Sequence, residues 1–171
     1  IRRTETFARE RLASVGHIDI DVIGKKGRDL NKPKNKAVKN VFLEYADKLS
    51  FEEAKKMALE MIENFQNKNY DVVYLAYNQF KSALTQETTI TQVLPISIQQ
   101  NELQAASLIE PIYEPNKTEM LEGLIPKYLA TQIYQAHLES VASELGARMT
   151  AMENATNNAR DMIGLLTLKY N

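Results

Sequence analysis

The residue types that most often carry catalysis are few and scattered in this sequence. There is no Cys, which excludes a disulfide framework, a thiolate metal site and a Cys nucleophile. His17 and His137 lie far apart and neither stands beside a second His, so we interpret both as structural or surface residues rather than metal ligands. No Ser-His-Asp or Gly-x-Ser-x-Gly pattern is present. The sequence therefore predicts neither a catalytic residue nor a metal site.

Two further patterns resemble ligand sites but differ from them in detail. Residues 24–27 (GKKG) have the Gly and Lys of a phosphate-binding loop, but the Gly-x-x-x-x-Gly-Lys-Ser/Thr spacing is missing. Asp19 and Asp21 are separated by one residue, so on a strand their carboxylates share a face, which we expect to meet solvent rather than a substrate. No nucleotide or other cofactor is predicted.

The charged residues Glu144 and Arg148 have a spacing that is informative on a helix. They are four residues apart, so they can pair on the helix surface, where such a pair contributes roughly 0.3–0.5 kcal/mol. Arg148 also falls in a heptad seam, where a polar residue lowers stability and can specify register. Two interpretations stay open: a plain intrahelical ion pair, or charges that meet a partner.

The composition limits the class of protein. Of 171 residues, 44% are hydrophobic and 25% are charged, which is typical of a globular domain able to form its own core. The net charge of −1 lacks the basic excess of a nucleic-acid-binding protein. No apolar run approaches the roughly 18–20 residues that span a bilayer, so we expect any membrane link to go through a partner. Because the first residue is Ile1, we expect the start to be a boundary inside a longer chain.

Residues 1–115 alternate between helix and strand patterns. Ser50 and Glu53 form a capping box that opens a helix over residues 51–65. Residues 71–77 (DVVYLAY) are nearly all apolar and β-prone, which predicts an interior strand covered on both faces. These patterns indicate an α/β domain with a small, Rossmann-like mixed sheet. The other predicted elements are a helix over residues 3–14, strands over residues 18–22, 88–95 and 108–113, and either a helix or a strand over residues 37–49.

Residues 116–171 predict a second domain that consists of one long helix. Asn116 has the position of an N-cap, with Glu119 three residues later, and Pro126 is the only Pro between there and Tyr170. A helix of that length spans roughly 80 Å, which exceeds what so small a domain can cover.

The long helix carries a heptad seam, which is the mark of a coiled coil. Alternatives are an ordinary amphipathic core helix, a coiled-coil dimerisation helix on an α/β binding module, and a small α/β enzyme with a pocket that the sequence does not reveal. The seam positions alternate in spacing between four and three residues and comprise Tyr134, Leu138, Val141, Leu145, Arg148, Met152, Ala155, Ala159, Met162 and Leu166.

Residues 143–171 (SELGARMTAMENATNNARDMIGLLTLKYN) resemble the C-terminal shaft helix of ATP synthase gamma subunits. Upstream, residues 77–80 (YNQF) followed by residues 91–95 (TQVLP) resemble the central-sheet segment of that family, and residues 112–115 (IYEP) resemble its entry into the long helix. The resemblance covers nearly the whole chain and is weakest over residues 25–69. It implies a chain that lacks the family's N-terminal helix and the tip of its C-terminal helix.

The resemblance implies a non-catalytic central-stalk rotor subunit of an F-type ATP synthase. Such a subunit transmits torque between a proton-driven membrane ring and the catalytic head. The implied partners are the alpha and beta subunits, the epsilon subunit and the c-ring. The absence of the Cys pair of chloroplast members favours a bacterial origin, with the chain peripheral to the inner membrane on its cytoplasmic face.

The resemblance also implies which residues meet those partners. Glu144, Arg148 and Met152 lie where the family shaft passes the catalytic subunits. Tyr113 and Glu114, with the basic residues 25–36, are expected at the foot that contacts the ring or the epsilon subunit.

Overall fold

The computed structural model describes residues 2–11, 17–25, 27, 38–45, 48–96 and 116–170. The predicted class, an α/β region followed by a long C-terminal helix, is confirmed. The elements are α1 (Arg2–Arg11), β1 (Ile20–Ile23), β2 (Val38–Phe42), α2 (Phe51–Gln66), β3 (Val73–Phe80), β4 (Gln86–Leu94) and α3 (Lys117–Tyr170).

The chain divides into two compact units. The first comprises Ile1–Ala76 and Ile90–Gln135, and the second comprises Tyr77–Thr89 and Ala136–Asn171. The β3–β4 hairpin and α3 therefore each contribute residues to both units. The domain boundary predicted between residues 115 and 116 falls at the edge of the described residues and stays a prediction.

In the first unit, β1 and β2 form a parallel pair. Val22 lies opposite Val41 in the register and is buried, while its neighbours on β1 are less covered, as the predicted alternation requires. The strand ends at Gly24, whose φ of 101° favours glycine. The Gly24 amide donates to the carbonyl oxygen of Phe42 at 3.0 Å, so the turn is bonded to the neighbouring strand. Residues 37–49, whose sequence predicted either a helix or a strand, thus include strand β2.

The capping box predicted at the start of α2 is confirmed. The Ser50 Oγ accepts from the Glu53 amide at 3.3 Å, and the Glu53 carboxylate accepts from the Ser50 amide at 2.7 Å. These bonds satisfy amides that the first helical turn leaves without partners. They also lower the pKa of the Glu53 carboxyl, chiefly through the bond from the Ser50 amide.

The β3–β4 pair is a hairpin, because strands joined only by residues 81–85 can pair only antiparallel. The prediction that residues 71–77 form a strand covered on both faces is wrong. Side chains along β3 alternate between half-buried and exposed, and Tyr74 and Phe80 are among the exposed ones. Among the described strands, β3 pairs with β4 alone. The face of β3 that carries Tyr74 is only partly covered, by contacts such as the edge-to-face packing of the Phe7 and Tyr74 rings at 5.1 Å, and aromatic and β-branched residues also suit half-covered strands.

The core of the first unit joins α2, the hairpin strands and the early part of α3. Partly buried Phe42, Tyr45 and Tyr134 pack against it, so Tyr134, the first seam position, belongs to this core. The Phe51 and Tyr134 rings meet edge to face at 6.0 Å. The buried members of the core are Leu49, Ala54, Met57, Ala58, Val93, Leu94, Leu129, Ala130 and Ile133.

Helix α3 begins as predicted. The Asn116 Oδ1 accepts from the Glu119 amide at 2.9 Å, and Pro126 lies inside the helix. Residues 151–170 form its last part, and every one of them is exposed. None of the helices in the described part of the chain combines the length and apolarity that crossing a bilayer requires.

Candidate partner interface

The heptad seam of α3 is exposed along most of its length. We call its positions from Leu138 to Leu166 the apolar stripe. Leu138 and Leu145 are 49% and 54% exposed, and Met152, Met162 and Leu166 are 65%, 64% and 60% exposed. A helix face of this kind normally packs against another element, because burying each such side chain contributes roughly 1.5–3 kcal/mol. The apolar stripe is therefore a candidate interface.

Three of the predicted interface residues lie together on this part of α3. The Arg148 Nη2 lies 2.8 Å from the Glu144 Oε1, and both side chains are more than half exposed. The predicted pairing of Glu144 with Arg148 is confirmed, and its exposure limits its contribution to a few tenths of a kcal/mol, about what i,i+4 pairs give. Met152 follows one turn after Arg148 on the apolar stripe. Tyr113 and Glu114 lie outside the described residues, so their predicted role stays a prediction.

The opposite side of α3 carries polar side chains that bind the β3–β4 hairpin. The Phe80 amide donates to the Glu139 Oε2 at 2.7 Å, and the Asn78 amide donates to the Ser140 Oγ at 3.2 Å. The Ser143 Oγ, which belongs to a buried side chain, donates to the Asn78 carbonyl oxygen at 3.1 Å. We call these three helix side chains with Asn78 and Phe80 the hairpin clamp.

The hairpin clamp provides hydrogen-bond partners for backbone groups at the edge of β3 that does not pair with β4. Residues two apart on a strand point their N–H and C=O groups to the same edge, so the bonded groups of Asn78 and Phe80 lie along one edge of β3. The helix side chains take the place of a neighbouring strand there, and protect an edge that could otherwise pair with another chain. Each bond contributes about 0.5–1.5 kcal/mol net.

Close packing continues the contact one turn further along. The Thr150 Oγ1 donates to the Ala83 carbonyl oxygen at 3.1 Å. A Cβ atom at Gly146 would lie 3.0 Å from the Phe80 Cε2 and 3.4 Å from the Ala83 Cα. Glycine therefore allows the hairpin turn to approach the helix backbone here.

This polar face of α3 was not predicted from the sequence. Its positions, Glu139, Ser140, Ser143, Gly146 and Thr150, recur at helical spacing on the side of α3 away from the heptad seam. Small and polar residues at that spacing are typical of a helix face exposed to solvent. Because α3 has no Lys between Lys127 and Lys169, composition alone did not distinguish this face from the exposed end of the helix.

The paired aspartates form a separate polar cluster in the first unit. The Tyr70 hydroxyl donates to the Asp19 Oδ2 at 2.9 Å and accepts from the Lys39 Nζ at 2.8 Å. The Tyr70 bond is the largest cause that lowers the pKa of the Asp19 carboxyl. Burial raises the pKa of the Asp21 carboxyl, which accepts from the Asn40 amide at 3.1 Å. The two carboxylates thus serve different protein contacts.

The surroundings of this cluster do not form a ligand site. The cavity beside Asp21 measures about 30 Å³, room for about one water molecule. His17 contacts Asp19 at 2.7 Å and is exposed, whereas His137 is buried on α3. Gly27 lies against Val22, where a Cβ atom would be 2.3 Å from the Val22 Cγ1. Within the described ranges, no group of three or more His, Cys, Asp or Glu side chains could hold a metal ion.

Comparisons with known proteins place the chain among ATP synthase subunits. A family model described as ATP synthase matches residues 1–171. The ATP synthase gamma chain of Geobacter metallireducens is 42% identical over 170 residues, which are 99% of this chain and 58% of that one. That of Brevibacillus brevis is 41% identical over 171 residues, covering 100% of this chain and 59% of that one. The chain thus spans a little under two thirds of the length of these relatives.

Solved structures agree with this assignment. A central stalk and c-ring structure of the Tetrahymena thermophila mitochondrial ATP synthase has a TM-score of 0.67 and 27% identity, covering 91% of this chain and 66% of that one. A rotor structure of the Euglena gracilis mitochondrial ATP synthase shares the fold, with a TM-score of 0.60 at 19% identity, over 99% of this chain and 66% of that one. The chain therefore belongs to the gamma-chain family of ATP synthase.

Proposed function

We propose that this chain forms part of the central-stalk rotor of an F-type ATP synthase. In this role it carries torque between the proton-driven c-ring and the catalytic head, and it has no catalytic residues of its own. The exposed apolar stripe of α3 is the observation that carries the proposal. A shaft needs stiffness and a face for a partner helix, and a heptad seam on a long helix supplies both.

The partner of the apolar stripe is the N-terminal helix of the same gamma chain, in a segment outside this sequence. The resemblance of residues 143–171 to the family shaft supports this choice. Ala155 and Ala159 are small, exposed stripe positions, at which a second helix could approach closely.

The other partners are proposed from the family. Glu144, Arg148 and Met152 lie on the length of the shaft that passes the alpha and beta subunits of the head. Met152 packs in the seam there, while the exposed Glu144–Arg148 pair can respond to the charges that pass it. Tyr113, Glu114 and the basic residues 25–36 form the foot that meets the c-ring and the epsilon subunit. The Tetrahymena relative is a central stalk solved together with a c-ring, which supports these neighbours.

The proposed location is the cytoplasmic face of a bacterial inner membrane, to which the chain is attached through the c-ring. The Cys-free sequence and the curated relatives from Geobacter metallireducens and Brevibacillus brevis support a bacterial setting.

The substitution Met152→Asp tests the proposal in the assembled synthase. Met152 is 65% exposed in this chain, so Asp should change the free energy of unfolding of residues 1–171 alone, measured without the proposed partner helix, by no more than about 0.5 kcal/mol. In the complex, the same change places a charge in a packed seam, which costs several kcal/mol unless it is paired. We expect ATP synthesis driven by a proton gradient to fall relative to proton flow.

The matched control is Asn157→Asp, which adds the same charge at an exposed position of α3 outside the apolar stripe. It should leave coupling intact. A large loss of stability in the isolated chain together with normal coupling would mark α3 as an ordinary core helix. A stable homodimer of the full-length chain in sedimentation would instead favour the alternative, an α/β binding module with a dimerisation helix.

A further inference from the structure

We infer that Glu139, Ser140 and Ser143 are positioning residues: by clamping the edge of β3, they set the direction in which the apolar stripe of α3 faces. The inference rests on the proposed function, because it concerns how the shaft helix is presented to its partners. All the residues of the hairpin clamp belong to the second compact unit.

The geometry of the helix connects the clamp to the stripe. Successive residues turn by about 100°, so the mean direction of the clamp positions lies roughly 165° from that of the early stripe positions Leu138, Leu145 and Met152. A rotation of α3 that moved the stripe would carry Glu139 and Ser143 away from the hairpin. The apolar stripe can turn relative to the hairpin only if the clamp opens.

The contacts of the clamp resist both rotation and sliding. Bonds from backbone atoms of Asn78 and Phe80 specify the position along β3, since these groups are fixed by the strand itself. A Cβ atom added at Gly146 would lie 3.0 Å from the Phe80 Cε2, so a larger side chain there would have to displace the Phe80 ring. A torsional load on α3 is therefore shared with the hairpin rather than carried by the helix alone.

The first test measures the helix position in the full-length gamma chain within the assembled synthase. Nitroxide labels on cysteines at Leu84 and Glu153, both exposed, report the distance from the hairpin turn to α3. In the triple variant Glu139→Ala, Ser140→Ala, Ser143→Ala we expect the distance distribution to shift or broaden by roughly 5 Å, about the radius of a helix. ATP synthesis should fall relative to proton flow.

Two matched variants separate positioning from general loss of structure. Glu139→Gln keeps an oxygen acceptor for the Phe80 amide and should retain the narrow distance and normal coupling, unlike Glu139→Ala. Thr156→Ala removes a hydroxyl that bonds only within α3, to the Met152 carbonyl oxygen at 2.9 Å among the contacts described, and should resemble the parent.

A reversible tether decides the question if the triple variant does not assemble. The Thr150 Oγ1 lies 3.1 Å from the Ala83 carbonyl oxygen, so cysteines at Ala83 and Thr150 lie within reach of a short, reducible thiol-specific linker. Because the clamp holds these segments together throughout rotation, the tethered synthase should turn over at the rate of the reduced one.

The outcomes distinguish this inference from the proposed function. An unchanged label distance in the triple variant, or a tether that slows turnover until it is reduced, would overturn the clamp. If Met152→Asp uncouples the synthase while the triple variant does not, the rotor assignment stands and the positioning role fails. If Met152→Asp is silent while the label distance still broadens, the rotor assignment fails instead.

Discussion

Helix α3 contains two regions of the same secondary structure that differ in how much of their side-chain surface is buried. Around residues 129–150 it has buried positions, including Leu129, Ile133 and Ser143. Over residues 151–170 every side chain is exposed, although the segment includes Met152, Met162 and Leu165. Both regions are regular helix with apolar residues at helical spacing. The difference shows that one continuous helix can be part of a folded core in one stretch and leave apolar side chains exposed in the next.

The covered region, residues 129–150, is stabilised by two kinds of contact, apolar packing and hydrogen bonds. Its early residues contribute apolar side chains to the core of the first unit, while Glu139, Ser140 and Ser143 bind strand backbone in the second. The bare region has neither kind of contact in the described residues. An isolated helix draws little stability from propensity alone, so the bare region depends on what covers it.

The largest expected contrast is between two leucines of the same helix. Leu129 is 1% exposed and Leu165 is 64% exposed. In residues 1–171 alone, Leu129→Ala should lower the free energy of unfolding by about 2–5 kcal/mol, because it leaves a cavity in the core. Leu165→Ala should change it by no more than about 0.5 kcal/mol. Urea unfolding of the two variants measures both values, and equal losses would remove the distinction between the regions.

A smaller contrast is expected between two glycines. At Gly164 a Cβ atom would meet nothing within 4 Å, so Gly164→Ala should favour the helix by about 0.5–1 kcal/mol, seen as increased helicity in circular dichroism. At Gly146 the same gain is opposed by the 3.0 Å contact with Phe80. Gly146→Ala should therefore stabilise the chain less, and Gly146→Val should destabilise it. A gain at Gly146 equal to that at Gly164 would mean that the hairpin gives way easily.

The smallest effect is expected at the exposed ion pair near the end of the covered region. Removing Glu144 and Arg148 singly and together should give a coupling energy of roughly 0.2–0.5 kcal/mol in the isolated gamma chain, weakened further by salt. A double-mutant cycle in thermal unfolding measures this energy. A coupling above about 1 kcal/mol would show that the pair is more than a surface contact.

Local patterns were sufficient for the elements whose causes are local. The capping box at Ser50, the N-cap at Asn116 and the alternation around Val22 follow from hydrogen bonds and periodicity within a few residues, and the structure confirms them. The heptad seam likewise predicted one apolar face on α3. Composition and missing motifs led to the prediction that there is no catalytic, cofactor or metal site.

Other features depended on which segments meet. Residues 71–77 are apolar enough for a strand covered on both faces, but one face of β3 is only partly covered. No local pattern in the sequence indicates how many layers pack against a strand. For the same reason, the sequence of residues 37–49 was compatible with a helix or a strand, and the parallel pairing with β1 shows that it includes a strand. The periodicity of the sequence indicates which face of a helix or strand a residue lies on, but not which element packs against that face.

The sequence by itself determined that α3 is long, that it has one apolar face and that the chain belongs with shaft subunits by resemblance. Only the tertiary structure decided which face of α3 is occupied. The hairpin binds the side with Glu139, Ser140 and Ser143, because their short polar groups can reach the backbone atoms of Asn78 and Phe80. These contacts join residues about sixty positions apart in the chain, beyond the range of any sequence periodicity.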